Sequence, residues 1–337
     1  MRPRSIAASV ATLFMAASLA PVAASANTVS TPNTLSLLST PKTVHANQVA
    51  AAGTVLIADA TSSSSTTPVT TSLTGAVTVD ATTLPLPNGS VQFVAVTTSG
   101  DLEHNIYSGN GKWQGWEGLS QTGVADAAIA GMTNGATQII EVTDKGTLLH
   151  NVRNANGSWQ PQGWASPGGT GIAKISLTVM PDGSTQFVAV TTTGTLEHNI
   201  RYANGAWQGW RGITQSVTIT DAAIAGMPNG SSQLVEVTSA GVLLHDIRNA
   251  NGSWQPQGWG SPGGKTVVQA AIMSLGDGES FVSAATTDSN LEYNARSASG
   301  AWAGWGDTDI SSYGTAAVTT GTALVGTGEV LFYWVTG

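Results

Sequence analysis

The chain alternates short apolar segments with turn sequences rich in glycine, asparagine and threonine. Four such segments cover residues 124–132, 137–143, 147–154 and 158–165. Apolar and polar residues alternate within them, and Thr-Asn-Gly, Asp-Lys-Gly and Asn-Ala-Asn-Gly separate them. Alternation is typical of half-buried strands, and these turn residues favour tight hairpins. The pattern predicts four short antiparallel strands and an all-β fold.

This four-stranded pattern is repeated along the chain. Residues 88–121 and 182–215 are nearly the same sequence, and 134–169 and 229–264 are two copies of a variant that ends in Ser-Pro-Gly-Gly. Residues 278–305 are a fifth, diverged copy. The period is 46 to 48 residues, measured between the glycines before the third strands: Gly100, Gly146, Gly194 and Gly241. Four strands at this period are typical of β-propeller blades.

The two ends of the repeat region are complementary fragments. The sequence from Gly53 resembles the second half of a repeat, and residues 315–337 resemble a first half. A ring of blades needs such halves, because strands shared between the two ends leave no open edge. Residues 49–337 are therefore predicted to form one β-propeller domain of six blades, with a composite closing blade. Five and seven blades are the alternatives.

Residues 1–26 have the features of an export signal. Arg2 and Arg4 precede an apolar run, and small residues end the segment at Ala26. Residues 27–48 are rich in serine, threonine and asparagine and are predicted to be a flexible lead-in. No later stretch has the roughly 18 consecutive apolar residues of a membrane helix. The sequence predicts a secreted protein without membrane insertion, and it leaves the oligomeric state open.

Charge and cysteine content exclude several function classes. The chain has 12 basic and 20 acidic residues, and removing the two arginines of the signal leaves 10 against 20, a net charge of −10. Nucleic acid is not an expected partner, because its binding needs a basic surface. The chain has no cysteine, so disulfides and thiolate metal sites are excluded.

Ten of the eleven tryptophans occur in five pairs, each after a turn of the Asn-Gly-x-Trp type or a close variant. The spacing within a pair is three residues in the odd copies and five in the even copies, which contain an inserted Pro-Gln. An odd separation puts two residues of a regular strand on opposite faces, so one tryptophan should pack between blades and its mate should lie near the rim. They either fill the gaps between blades or stack against sugars. The ligand-binding candidates are Trp113, Trp116, Trp159, Trp164, Trp207, Trp210, Trp254 and Trp259.

The third strand of each copy carries a second set of candidates. His104, His150, His198, His245 and Tyr293 occupy one equivalent position, on a face shared with apolar residues. The histidines either bond to backbone groups between blades or line a ligand site. A metal site is not expected, because equivalent residues of successive blades do not converge on one ion.

The other face of the third strand is polar in every copy, and its candidates are Asn105, Asn151, Asn199, Arg153, Arg201 and Arg248. Residues repeated in this way are either hydrogen-bond partners between blades or the polar half of repeated binding sites. The sequence leaves both interpretations open.

A single active site needs residues that interrupt the repeat, and none does. The glutamates and arginines recur from copy to copy, and the Ser-x-Asp-x-Gly-x-Thr-Trp turn of sialidases is not matched. A carboxylate pair within about 10 Å, as in glycosidases, is not excluded by sequence. We predict a non-catalytic protein with no cofactor.

The Gly-x-Leu-x-His strand, the Asn-Gly-x-Trp turn and the following Gly-Trp resemble the repeats of propeller lectins over residues 50–337. These are the tachylectin-2 and tectonin groups and the fucose-binding propeller lectins of Photorhabdus. The resemblance implies multivalent sugar binding, at four or five sites at most because the fifth copy and the closing blade depart from the pattern. The predicted partners are carbohydrates or glycoconjugates. The alternatives are a scaffold that binds a protein or cell-wall polymer and, third, a sialidase-like glycoside hydrolase.

Overall fold

The computed structural model of the protein describes residues 54–59, 69–72, 78–85, 90–108, 112–119, 121–264, 266–275, 278–288, 290–307, 317–324 and 330–336. These residues form strands and turns and no helix, so the all-β prediction is confirmed. Accordingly, no helix among them is long and apolar enough to span a membrane. The predicted signal peptide, 1–26, and lead-in, 27–48, lie outside the described residues.

Five antiparallel sheets follow one another along the described part of the chain. Sheet 1 contains β3 (Thr78–Pro85), β4 (Val91–Thr97), β5 (Leu102–Tyr107) and β6 (Glu117–Gly118). Sheet 2 contains β7 (Val124–Gly131), β8 (Thr137–Thr143) and β9 (Leu148–Arg153). Sheet 3 contains β10 (Ile172–Val179), β11 (Thr185–Thr191), β12 (Leu196–Arg201) and β13 (Arg211–Ile213). Sheet 4 contains β14 (Ile219–Gly226), β15 (Ser232–Thr238) and β16 (Leu243–Arg248). Sheet 5 contains β17 (Val267–Ser274), β18 (Ser280–Thr286), β19 (Leu291–Arg296) and β20 (Gly306–Asp307).

A further sheet, the terminal sheet, combines the two ends of the described chain in the order β2-β1-β22-β21. Its strands are β1 (Thr54–Asp59), β2 (Val69–Ser72), β21 (Ala317–Leu324) and β22 (Val330–Thr336). β1 pairs with β22 antiparallel, with Val55 opposite Val335 and Asp59 opposite Leu331. The complementary end sequences therefore share one sheet.

The even sheets differ from the prediction of four strands. Sheets 1, 3 and 5 have a fourth strand, but segment 158–165 of sheet 2 pairs with β9 only at two isolated positions, Arg153 with Trp159 and His150 with Ala165. Pro161, in the Pro-Gln insertion, has no N–H to donate to a strand ladder. The insertion forms a turn, closed by the Gly163 N–H bonding to the Gln160 carbonyl at 3.0 Å, and the predicted fourth strand is wrong for sheets 2 and 4.

The first strands of neighbouring sheets contact one another in cyclic order. β3 contacts β7, and the series continues through β10, β14, β17 and β21 back to β3. Buried aspartates join two of these steps: Asp126 accepts hydrogen bonds from the Ile175 N–H at 2.7 Å and from Lys174 Nζ at 3.1 Å. Asp221 accepts the Ala270 N–H at 2.8 Å. The carboxylates satisfy backbone donors that have no strand partner at this junction.

The core is divided among the interfaces between sheets. Sheets 3 and 4, for example, bury Val188, Leu196 and Leu234 against one another, each at 0% exposure. Equivalent clusters lie between sheets 1 and 2, 2 and 3, and 4 and 5. Sheets 2, 3 and 4 are thus buried on two faces, which explains why third-strand residues of both faces are largely buried there.

Candidate binding sites between the sheets

The histidines of the third strands face the next sheet along the chain. His150 Nε2 donates to Gln138 Oε1 at 3.2 Å, and Gln138 Nε2 donates to Thr185 Oγ1 of sheet 3 at 2.6 Å. His198 bonds Gln186 at 3.1 Å and His245 bonds Gln233 at 2.8 Å, and these glutamines accept from serines of the next sheet. Each of these three histidines thus belongs to a hydrogen-bonded chain that joins two sheets. Its partner is a side chain rather than the backbone group expected from sequence.

Sheet 5 replaces both members of this pair. Tyr293 stands at the histidine position and Phe281 at the glutamine position, and their rings stack with centroids 5.6 Å apart at 15°. A polar pair has been exchanged for an aromatic pair. This exchange supports the interpretation in which the residues at these positions hold sheets together.

Burial controls the charge of the histidines. Loss of hydration lowers the pKa of His150, His198 and His245 to about 4, and the arginine of the next sheet adds to the effect. The pKa of His104 is lowered by burial and by Arg153 and raised in part by Glu117, which lies 3.6 Å away. His150, His198 and His245 are therefore neutral at pH 7 and do not supply positive charge to a ligand.

The third-strand asparagines lie under the tryptophan turns. Asn105 Oδ1 accepts the N–H groups of Ile106 at 2.8 Å and Gly115 at 2.9 Å, and Asn199 makes the same contact with Gly209 at 2.9 Å. Asn151 Oδ1 accepts the N–H of Val152 at 2.8 Å and makes no bond of the second kind. All three are at most 5% exposed. Their amide oxygens shape the chain between the two tryptophans, and the predicted contact with a ligand stays a prediction.

The arginines lie against the turn that precedes each tryptophan. A Cβ on Gly157 would come within 3.1 Å of Arg153 Nη2, and one on Gly252 within 2.9 Å of Arg248 Nη2. Glycine is therefore required for the guanidinium to approach the turn. Arg201 and Arg296 lie against Gly205 and Gly300 in the same way. Burial lowers the pKa of Arg201, Arg248 and Arg296.

The guanidinium groups of Arg153, Arg201, Arg248 and Arg296 form no hydrogen bond or ion pair with another described residue. Each stands opposite the first tryptophan of its own sheet, as Arg153 does opposite Trp159. Directly opposed residues share a face, so guanidinium and indole are neighbours on the face turned to the preceding sheet. Four half-buried arginine side chains therefore leave the sheets on the same face as the first tryptophans.

Both tryptophans of a pair pack against one interface, which corrects the prediction of one buried and one rim member. Trp207 and Trp210 contact the cluster between sheets 2 and 3, and Trp159 and Trp164 contact the cluster between sheets 1 and 2. All ten paired tryptophans are half-buried. The alternation rule fails here because the segment between them is not a regular strand.

The first tryptophan has different neighbours in odd and even sheets. In sheet 3, Trp207 lies between Phe187, with centroids 4.9 Å apart, and His150 of sheet 2, at 5.4 Å. In sheet 1, Trp113 contacts Phe93 at 5.1 Å and Tyr107 at 5.0 Å. In the even sheets the paired tryptophans contact each other instead, at 6.2 Å for Trp159 and Trp164 and 5.8 Å for Trp254 and Trp259.

The Ser-Pro-Gly-Gly segments hold the second tryptophan of the following odd sheet, a role that sequence reasoning missed. A Cβ on Gly169 would lie 3.1 Å from Trp210 Nε1. Trp305 Nε1 donates to the Pro262 carbonyl at 3.0 Å, and a Cβ on Gly264 would lie 3.1 Å from Trp305 Cε2. The signal was present in the sequence, since Ser-Pro-Gly-Gly occurs only where an odd copy with a short tryptophan spacing follows.

Buried carboxyl groups were also missed. Glu141 and Glu236, on the second strands of the even sheets, are 1% and 0% exposed. Loss of hydration raises their pKa values to about 7 and about 8, with the charge of Asp246 adding to the latter. Glu236 Oε2 accepts from Gln215 Nε2, in the segment that follows β13, at 2.9 Å. The two glutamates lie at different interfaces, and no group of three potential metal ligands exists within the described residues.

Comparison with known proteins identifies the fold. No protein-family model and no curated protein sequence matches the chain. Among solved structures, the BP39L lectin of Burkholderia pseudomallei is 19% identical over 68% of this chain and 69% of its own, with a TM-score of 0.55. A variant of the Aleuria aurantia lectin in complex with Fucα1-6GlcNAc is 13% identical over 77% of this chain and 94% of its own, with a TM-score of 0.56.

The same fold also occurs in an enzyme. The NanB sialidase of Streptococcus pneumoniae is 12% identical over 79% of this chain and 68% of its own, with a TM-score of 0.55. Another structure of the Aleuria aurantia lectin, 10% identical with a TM-score of 0.51 over 76% of this chain and 93% of its own, is described as a six-bladed β-propeller. At these identities the likeness is one of fold.

Proposed function

We propose that the protein is a secreted, non-catalytic lectin whose six sheets are the blades of one β-propeller. The first strands contact one another in an order that returns to its start, and the terminal sheet joins the two ends of the chain. Solved structures of similar fold support this assignment, since one of them is a six-bladed propeller. The terminal sheet is then the composite closing blade, and residues 49–337 form the single domain.

One observation carries the proposal of carbohydrate binding: a half-buried arginine without an acidic partner stands beside a tryptophan on four successive sheets. A guanidinium offers several fixed donors to hydroxyl oxygens, and an indole offers an apolar face to the C–H groups of a sugar ring. The pair Arg153 and Trp159 supplies both at one interface. Repetition multiplies weak binding through avidity, by about 10²- to 10⁴-fold.

The glycosidase alternative is favoured by one observation, the fold shared with a sialidase. Against it, the arginines occur once per sheet rather than together, and Glu141 and Glu236 are buried at separate interfaces. A scaffold that binds one protein or polymer does not require near-identical copies of a site. Repeated, equivalent sites are what a lectin uses.

A glycan array tests the proposal with the purified protein. Fucosylated oligosaccharides are placed first, because a protein of similar fold is seen in complex with one. We expect retention on a defined set of glycans, and loss of at least about tenfold in signal when Arg153 and Arg248 are both changed to Ala. A folded protein that binds no glycan would contradict the lectin proposal and favour the scaffold that binds a protein or polymer. Turnover of a fluorogenic sialoside would establish the enzyme instead.

A further inference from the structure

Four of the five tryptophan pairs fall into two kinds. The fifth pair, Trp113 with Trp116 of sheet 1, has the short spacing, its first indole meets Phe93 and Tyr107, and both Nε1 atoms are buried. We call the pairs of sheets 3 and 5 the closed pairs, namely Trp207 with Trp210 and Trp302 with Trp305. We call the pairs of sheets 2 and 4 the open pairs, namely Trp159 with Trp164 and Trp254 with Trp259. The two kinds have the same residue types, yet their surroundings differ in what is left for a ligand.

In a closed pair the protein itself covers the indoles. Trp207 has Phe187 on one side and the edge-on ring of His150, at 88°, on another. Trp210 lies against Gly168 and Gly169, and its Nε1 is buried. Sheet 5 repeats the histidine and glycine contacts, since Trp302 meets His245 at 5.3 Å and 89° and Trp305 lies against Gly263 and Gly264. These contacts occupy part of the ring surface on which a sugar would stack.

In an open pair the two indoles contact each other and leave their other surfaces uncovered by aromatic rings. His104 and His198 of the preceding sheets make no ring contact with these tryptophans within the described residues. The open pairs pack against the aliphatic clusters between sheets 1 and 2 and between sheets 3 and 4, against which Leu119 and Ile213 also pack. No glycine-rich segment lies over them in the part of the chain that the structure describes.

The Pro-Gln insertion adds polar groups beside each open pair. Gln162 and Gln257 are exposed, and each bonds to the glutamine two residues earlier, Gln160 or Gln255. Arg153 or Arg248 adjoins the first tryptophan of the pair. An apolar double platform with an amide and a guanidinium at its border matches a sugar ring, which presents C–H groups on one face and hydroxyls around its edge.

We propose that carbohydrate binds at the two open pairs alone, between sheets 1 and 2 and between sheets 3 and 4, and that the closed pairs of sheets 3 and 5 are packing elements. The inference rests on the proposed function and narrows it. The chain is then bivalent rather than four- or five-valent. The odd copies of the repeat serve as spacers that set the distance between the two sites.

Matched tryptophan variants test this inference on the glycan array. Trp259→Phe and Trp305→Phe change the same position in an open and in a closed pair. We expect Trp164→Phe combined with Trp259→Phe to weaken the array signal by at least about tenfold, because both platforms lose indole surface. Trp305→Phe should stay within about twofold of the unchanged protein. Thermal unfolding of each variant identifies a loss caused by misfolding.

Two further measurements sharpen the outcome. Titration calorimetry with the oligosaccharide retained most strongly on the array should give two sites per chain. Limited oxidation by N-bromosuccinimide, mapped by mass spectrometry, should modify Trp159, Trp164, Trp254 and Trp259 before the closed pairs without any sugar. Four or five sites, or a loss of binding in a folded Trp305→Phe, would overturn the inference and leave the lectin. Absence of any retained glycan would overturn both.

Discussion

Sheets 3 and 4 carry the same tryptophan pair in different surroundings. The sheet 3 pair is spaced by three residues and is covered by Phe187, His150 and the glycines of a Ser-Pro-Gly-Gly segment. The sheet 4 pair is spaced by five residues and packs on itself. The comparison teaches that a two-residue insertion and the glycines contributed by the preceding copy decide which neighbours the same two side chains meet.

The buried carboxyl group differs between the two sheets in the same alternating way. Sheet 4 has Glu236 on its second strand opposite Leu244, whereas sheet 3 has Ala189 on its second strand opposite Glu197. The carboxylate has moved to the neighbouring strand at an equivalent position. Glu236 is fully buried and Glu197 is half-buried, so the even sheet carries the larger cost of ionisation.

Glu236→Gln is expected to have the largest effect, visible at high pH. Burial raises the pKa of Glu236 to about 8 in the folded protein. The contribution of this side chain to folding stability is therefore complete below the unfolded-state pKa near 4.5, and it is lost as pH rises through 8. One pKa unit corresponds to about 1.4 kcal/mol, so the neutral variant should be more stable than the unchanged protein by about 3 to 5 kcal/mol at pH 9. Urea unfolding at pH 4.5 and 9 measures the difference.

Glu197→Gln is the matched control in sheet 3. Its side chain is half-exposed, so the same substitution should change the free energy of unfolding at pH 9 by less than about 1 kcal/mol. Equal gains from the two variants at pH 9 would contradict the claimed difference between odd and even sheets.

The second prediction transplants the sheet 5 aromatic pair into sheet 4. His245→Tyr with Gln233→Phe copies Tyr293 and Phe281. Burial lowers the pKa of His245 to about 4, so the stability that its neutral form provides is present above pH 6.5 and is lost as pH falls through 4. The groups facing it include Arg296 and Trp302.

The double variant should therefore unfold less readily in acid. We expect its loss of unfolding free energy between pH 7 and 4.5 to be smaller than that of the unchanged protein by about 2 to 3 kcal/mol. His245→Gln alone removes the titrating group without adding aromatic packing and separates the two contributions. An acid transition at the same pH in all three proteins would show that His245 does not titrate on unfolding.

The repeat and the all-β fold were predictable because they follow from the alternation of apolar residues and from turn glycines, which act locally. The sharing of one sheet by the two chain ends was predictable from the complementary sequences after Gly53 and after residue 315. The candidate arginines were predictable as a repeated polar position. Their freedom from acidic partners was not, because it depends on which residues the neighbouring sheets present.

The tryptophan sites were predicted incompletely because strand rules were applied to a segment that is not a strand. Pro161 removes a ladder donor, so the chain between Trp159 and Trp164 no longer obeys two-residue alternation. The contact of Gly169 with Trp210 joins two different repeats, and periodicity within one repeat carries no information about it. The exchange of His and Gln for Tyr and Phe was visible in sequence, but only pairing in space shows that the two positions meet.

The smallest predicted effect is a difference in stability between two glycine substitutions. Gly169 lies against a tryptophan of a closed pair, and Gly163 lies between the two tryptophans of an open pair in the sequence. Gly169 and Gly163 both have positive φ, at 84° and 63°, so alanine at either position meets the backbone cost of the left-handed region, about 1 kcal/mol. A Cβ at Gly169 would also lie 3.1 Å from Trp210 Nε1 and from Leu148 Cδ1, whereas one at Gly163 meets nothing within 4 Å. Gly169→Ala should therefore destabilise the protein by about 2 kcal/mol and Gly163→Ala by about 1 kcal/mol in urea unfolding at pH 7. Equal losses would mean that the Ser-Pro-Gly-Gly segment yields without strain, and the distinction between closed and open pairs would then rest on the aromatic contacts alone.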